Sequence, residues 1–153
     1  MEYRYTAIVL KKREVGETDR IYTFFTREAG KVASIAKGVR KSEAKLASAL
    51  ETGSKVEVMV VRTRGMGKIA GAVLEESYPS LRQNFEALRR IVEALTTVDR
   101  LVELDEKDEA LYQLLERYLG IMSLLSGTGR ADKLGLITEA FYFQLLFHLG
   151  YPL

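Results

Sequence analysis

Near residue 77 the hydrophobic pattern of this chain changes its period from two to between three and four. Before that point the apolar residues alternate. Tyr3, Tyr5, Ala7 and Val9 fall on one side, Ile8 and Leu10 on the other, and Val56, Val58 and Val60 repeat the pattern. A period of two is the signature of extended chain. After that point Leu81, Phe85, Leu88, Ile91, Val92, Leu95 and Val98 recur at helical spacing. The chain therefore divides into a β half, residues 1–77, and an α half, residues 78–153.

Five strands are predicted in the first half: residues 3–13, 21–26, 32–36, 55–62 and 68–76. A helix-prone stretch, Ser42 to Leu50, lies between the third and fourth. Gly30-Lys31 marks a turn, and Thr63-Arg64-Gly65-Met66-Gly67 a hairpin loop. Five short strands with a helical insert after the third fit a Greek-key barrel of the OB type, and closure removes exposed edges. Periodicity alone leaves an SH3-like barrel open.

Three helices are predicted in the second half. The first runs for about six turns from Pro79, with Ser77 or Tyr78 as its cap region. The acidic stretch Glu103 to Glu109 is a loop leading into the second, whose stripe is Leu111, Leu114, Leu115, Tyr118, Leu119, Met122 and Leu125. Asp132 is placed to cap the third, and Gly150 and Pro152 to stop it. The third is apolar on nearly every side from Leu134 to Leu149, so it needs cover from the barrel, from a second copy or from another chain.

The residues exclude several kinds of chemistry. The sequence has no cysteine, so disulfides, thiolate metal sites and cysteine nucleophiles are out. Its single histidine, His148, near the end of an apolar helix, reads as a packing or helix-end residue. The acidic stretch lacks the order of a calcium loop. Gly65-Met66-Gly67-Lys68 fails the phosphate-loop pattern at Arg62 and Ile69. No catalytic residue, metal or cofactor is expected. No apolar run is long enough for a membrane helix, and Met1-Glu2-Tyr3-Arg4 opens no signal peptide, so a cytoplasmic protein is expected.

Charge is the positive signal. Residues 1–68 hold 15 lysines and arginines against 8 acidic residues, a balance of +7, whereas residues 69–153 balance at −5. Such a split points to a polyanionic partner for the first half. Lys37, Arg40, Lys41 and Lys45 cluster after the third strand, Arg62, Arg64 and Lys68 flank the hairpin, and Lys11, Lys12 and Arg13 end the first strand. In an OB barrel the loop between the fourth and fifth strands borders the oligonucleotide cleft. The expected nucleic-acid-binding set is Lys37, Arg40, Lys41, Lys45, Arg64, Lys68 and Arg13, with Tyr22 as an exposed ring for base stacking. An RNA- or ribosome-binding OB protein, and a protein-interaction adaptor without nucleic acid, are the alternatives.

Several motifs resemble a known family. Gly16-Glu17-Thr18-Asp19-Arg20, Phe25-Thr26-Arg27-Glu28-Ala29-Gly30-Lys31 and Ala36-Lys37-Gly38-Val39-Arg40-Lys41 are similar to the N-terminal signature of the bacterial RecO DNA repair family. Arg64-Gly65-Met66-Gly67, Ser77-Tyr78-Pro79-Ser80-Leu81-Arg82 and His148-Leu149-Gly150-Tyr151 continue it in the family's order. The resemblance implies an OB domain followed by a helical domain, acting as a recombination mediator. It implies binding of single- and double-stranded DNA, annealing of complementary strands, and help in loading RecA onto DNA coated by single-strand-binding protein. The implied partners are RecR and the acidic C-terminal tail of single-strand-binding protein, the latter docking on the helical half. Members of the family commonly continue past the Leu-Gly-Tyr segment into a cysteine-bearing zinc module. This chain ends at Leu153 without cysteine, as a cut or naturally short form, so no zinc is expected, and the apolar face of residues 134–149 is expected to be shielded by self-association or by another chain.

Overall fold

The computed structural model describes residues 1–38 and 44–152. Five strands form the first half: β1 (Glu2–Val15), β2 (Asp19–Thr26), β3 (Gly30–Ala36), β4 (Lys55–Val61) and β5 (Gly67–Glu76). They close in the order β1-β2-β3-β5-β4, with β3 and β5 parallel and the other neighbours antiparallel. This is the OB arrangement, and the SH3-like alternative falls. The helix α1 (Ala44–Ala49) lies between β3 and β4, and Leu46, Ala47 and Leu50 pack against the barrel core.

Closure depends on β1, which is long enough to serve both sheets. Residues 2–8 pair with β4 and residues 7–15 with β2. The register shifts between Val9 and Lys11, so a bulge bends the strand where it passes from one sheet to the other. Along β1 the two sides bury into different cores. Tyr5, Ala7 and Val9 enter the barrel with Tyr22, Phe24, Val32 and Val58. Ile8 and Leu10, with Phe25 of β2, leave the barrel and join the core of the helices. This explains why β1 carries apolar groups on both sides.

The second half holds α2 (Pro79–Arg82), α3 (Phe85–Leu101), α4 (Glu109–Gly127) and α5 (Leu134–His148), with a short 3-10 turn at Ala131–Lys133. Three features differ from expectation. The six-turn helix from Pro79 is two helices, because the Asn84 side chain accepts a 3.0 Å hydrogen bond from the Ala87 N–H and starts a new one. Phe85, counted in the apolar stripe, is 81% exposed at that start. Asp132 sits in the 3-10 turn, and the cap position of α5 is Lys133, which makes no side-chain capping bond. The acidic stretch does lead into α4, where Asp108 caps through the Leu111 N–H, and Gly150 closes α5 with a φ of 86°.

α5 packs on α4 and α3 through Leu134, Phe141 and Leu145. The Tyr118 and Phe141 rings stack at 4.3 Å, and the Tyr118 hydroxyl meets the Thr138 hydroxyl at 2.8 Å. Burial pushes that phenol up to about 12. Leu136, Phe143 and Phe147 remain exposed along the opposite side of α5.

Candidate nucleic-acid interface

Where the barrel meets the helices, the cations are taken. Lys11 and Lys31 both reach Asp99 of α3, at 2.8 and 3.3 Å, and Lys31 Nζ also donates to the Asp99 carbonyl. Burial raises the Asp99 carboxyl, but hydrogen bonds from the two lysines outweigh it, and its pKa is lowered from the ordinary value. Lys55 and Arg27 pair with Glu116 of α4 at 2.7 and 3.8 Å, and Arg62 with Asp105 at 3.7 Å. Arg82 donates to the Thr52 carbonyl and the Ser54 hydroxyl from the helical side. A backbone bridge joins Lys31 to Leu104, and a Cβ on Gly30 (φ 70°) would fall on the Glu106 carbonyl oxygen. The Gly30-Lys31 pair of the signature thus locks the two halves together.

On the remaining outer surface of the barrel, register places cations in a row. Arg13 of β1 pairs with Ile21 of β2, Ile21 with Ile35 of β3, and Ile35 with Lys68 of β5. Paired positions point to the same side of a sheet, so Arg13 and Lys68 bracket the half-buried Ile21 and Ile35. Arg64 is exposed in the loop just before β5. Among the described residues, Arg13, Arg64 and Lys68 enter no ion pair. Cations beside an apolar strip suit a single strand, whose phosphates need charge and whose bases need apolar surface.

The other expected residues fall elsewhere. Lys37 is exposed but lies 3.7 Å from Asp19, a carboxylate whose pKa is lowered chiefly by the 2.8 Å hydrogen bond from the Gly38 N–H. Asp19 of the signature therefore anchors the start of the segment after β3. Arg40 and Lys41 lie outside the described residues. Lys45 sits beside Leu74, six residues along β5 from Lys68 and so on the order of 20 Å away. The reading of Tyr22 as an exposed ring is corrected: it is fully buried inside the barrel, stacked on Phe24 at 6.1 Å, its hydroxyl accepting from Arg20 at 3.4 Å. A barrel fills its interior with one alternating set of each strand, and Tyr22 and Phe24 belong to that set.

No group of three metal-ligating side chains forms among the described residues. His148 Nε2 lies 2.8 and 2.9 Å from the two oxygens of Asp108, tying the end of α5 to the start of α4. No described helix is long and apolar enough to cross a membrane. Sequence reading missed the contact between the β4–β5 hairpin and the α3–α4 loop, where Met66 and Leu104 flank the Arg62–Asp105 pair.

A closed five-stranded barrel in the OB order, joined along β1 and β2 to a helical bundle, defines the class as an OB-barrel protein with a helical extension. Residues 1–78 match the family model described as Recombination protein O N terminal, and the chain belongs to that family. It is 33% identical over 150 residues to a protein of Geobacter sulfurreducens, covering 98% of this chain and 59% of the relative. It is 34% identical over 116 residues to one from Geobacter metallireducens (76% and 48% covered) and 30% over 152 to one from a Nocardioides species (99% and 61%). All three bear the name DNA repair protein RecO. The chain spans about half to three-fifths of the length of these relatives.

Proposed function

We propose that this chain is a non-catalytic, DNA-binding recombination mediator of DNA repair. The observation that carries the reading is the row Arg13–Ile21–Ile35–Lys68, its two cations exposed, with the exposed Arg64 in the loop just before β5. The names of the relatives support the DNA repair part. The barrel, residues 1–77, holds the sugar–phosphate backbone, with Lys37, Arg40, Lys41 and Lys45 as further phosphate contacts. The helical half, residues 78–153, serves protein contacts. Affinity then comes mainly from phosphate neutralisation and is independent of sequence. Such a surface binds single and double strands. It anneals complementary strands by neutralising two backbones while leaving most base edges free, which needs no catalytic residue.

Within repair, the chain assists RecA loading on DNA coated by single-strand-binding protein, together with RecR. The acidic, apolar tail of single-strand-binding protein suits the groove between α4 and α5, where Arg117 stands beside Ile121, Ile137 and Phe141. The protein works in the cytoplasm.

The test is fluorescence anisotropy with labelled single-stranded DNA over a salt series. Binding that weakens with salt, and is impaired in the Lys37→Glu, Arg40→Glu variant, is expected. Unchanged affinity and salt slope in that variant would remove those two residues from the site. Competition with RNA of equal length separates the RNA-binding alternative, since RNA alone offers the 2′-hydroxyl. Absence of any binding at about 0.1 M salt would leave the protein-interaction adaptor.

A further inference from the structure

At one edge of the cationic row the β4–β5 hairpin leans against the α3–α4 loop and encloses a cleft of about 190 Å³. Its lining is Ala33, Arg62, Met66, Leu104 and Asp105. Ala33 belongs to β3, two residues before Ile35 and on the same side, so the cleft opens from the row itself. Met66 and Leu104 are 47% and 53% exposed. The two side chains line the same cleft from opposing loops.

The polar end of the cleft is held in place. Arg62 Nε donates to the Gly65 carbonyl at 2.8 Å, which fixes the guanidinium. Its Nη1 is 3.7 Å from the Asp105 carboxylate, longer than the 2.7–2.9 Å of a tight charge-assisted bond. Asp105 is set by its own N–H, which donates to the Lys31 carbonyl at 2.8 Å, and by a left-handed φ of 61°. Donor and acceptor are thus positioned side by side without being tightly bonded to each other.

We propose that this cleft is a subsite for one unstacked base of a single DNA strand, resting on the DNA-binding reading above. The base lies between Met66 and Leu104 and presents its polar edge to Arg62 and Asp105. A base edge carries donors and acceptors next to one another, and its faces are apolar, so it matches both parts of the lining. A phosphate does not match, because Asp105 would repel it. Bases paired in a duplex cannot enter. The strand is therefore anchored at the hairpin by a base and along the row by its backbone.

The experiment compares three labelled probes by anisotropy: a thymidine oligonucleotide, an oligonucleotide of the same length made entirely of abasic units, and a blunt duplex. The proteins are the unmodified chain and the Met66→Ala, Leu104→Ala double variant, whose changes are at exposed positions. The subsite predicts that the double variant binds the thymidine strand about fivefold more weakly with an unchanged salt slope. It also predicts that the variant and the unmodified chain bind the abasic strand equally, and the duplex equally. The unmodified chain alone should prefer the thymidine strand to the abasic one, a readout independent of the variant. Equal affinity of the unmodified chain for thymidine and abasic strands, or equal loss by the variant on all three probes, overturns the subsite while leaving the DNA reading standing. Failure of the unmodified chain to bind any probe overturns both.

Discussion

Lys31 and Lys68 both leave the outer surface of the barrel, yet one ends on a carboxylate of α3 and the other in water. The same division runs through the first half. Lys11, Arg27, Lys31, Lys55 and Arg62 pair with Asp99, Asp105 and Glu116 of the helical half, whereas Arg13, Arg64 and Lys68 enter no ion pair among the described residues. A positive balance in one half of a sequence therefore has two meanings. Part of it is answered by the negative balance of the other half and serves folding. Another part, Arg4, Lys12, Arg20 and Lys37 among it, lies beside carboxylates of the barrel itself, and the rest is free to meet an external polyanion.

The locked side should break hardest. Gly30→Ala places a Cβ on the Glu106 carbonyl at a φ of 70° and is expected to cost about 3 kcal/mol or more in urea unfolding. Gly65→Ala has a similar φ of 59°, but nothing lies near its Cβ. It should cost only about 1 kcal/mol, the strain of the left-handed backbone alone. Equal losses would show that strain, not the interlock between halves, matters at Gly30.

Asp99 sharpens the comparison next. Asp99→Asn strips the anion from two lysines and should lose about 1–2 kcal/mol at neutral pH. The folded-state pKa of Asp99 is lowered, so its contribution is fully present above the ordinary carboxylate pKa and is lost as the pH falls through the folded value. Unfolding followed from pH 7 downward should show the two proteins converging in acid. A constant gap between them would mean that the carboxylate charge is not what stabilises.

The smallest effects belong to the free side. Lys68→Ala should leave the unfolding midpoint in place and weaken single-strand binding a few-fold, by loss of one phosphate contact. Lys45→Ala, on the order of 20 Å along β5, should weaken it less. A larger loss from Lys45 would move the strand off the proposed row and toward α1.

The alternation in β1 and β4 was enough to expect strands and a barrel, because a period of two leaves few other arrangements. It was not enough to say which side of β2 faces inward. Both sides of β2 are buried, Tyr22 and Phe24 in the barrel and Phe25 against the helices, so both look alike as sequence. The break before α3 was hidden for a similar reason: Leu81, Phe85 and Leu88 keep helical spacing across it. The signal that could have found it was Asn84, a strong cap residue three positions before Ala87. Arg13, Arg64 and Lys68 were legible as cations after a strand and around a hairpin. The pairing of Lys31 and Arg62 was not, because their partners lie more than forty residues further along the chain.

The most direct test takes the free cations together. Single-strand binding is measured across a salt series for the unmodified chain and for the Arg13→Ala, Arg64→Ala, Lys68→Ala variant, with urea unfolding of both. At about 0.7 in log–log slope per phosphate contact on a single strand, losing three contacts should flatten the slope by roughly 2 without moving the unfolding midpoint. An unchanged slope in a variant that is as stable as the unmodified chain would contradict the claim that this row holds the strand.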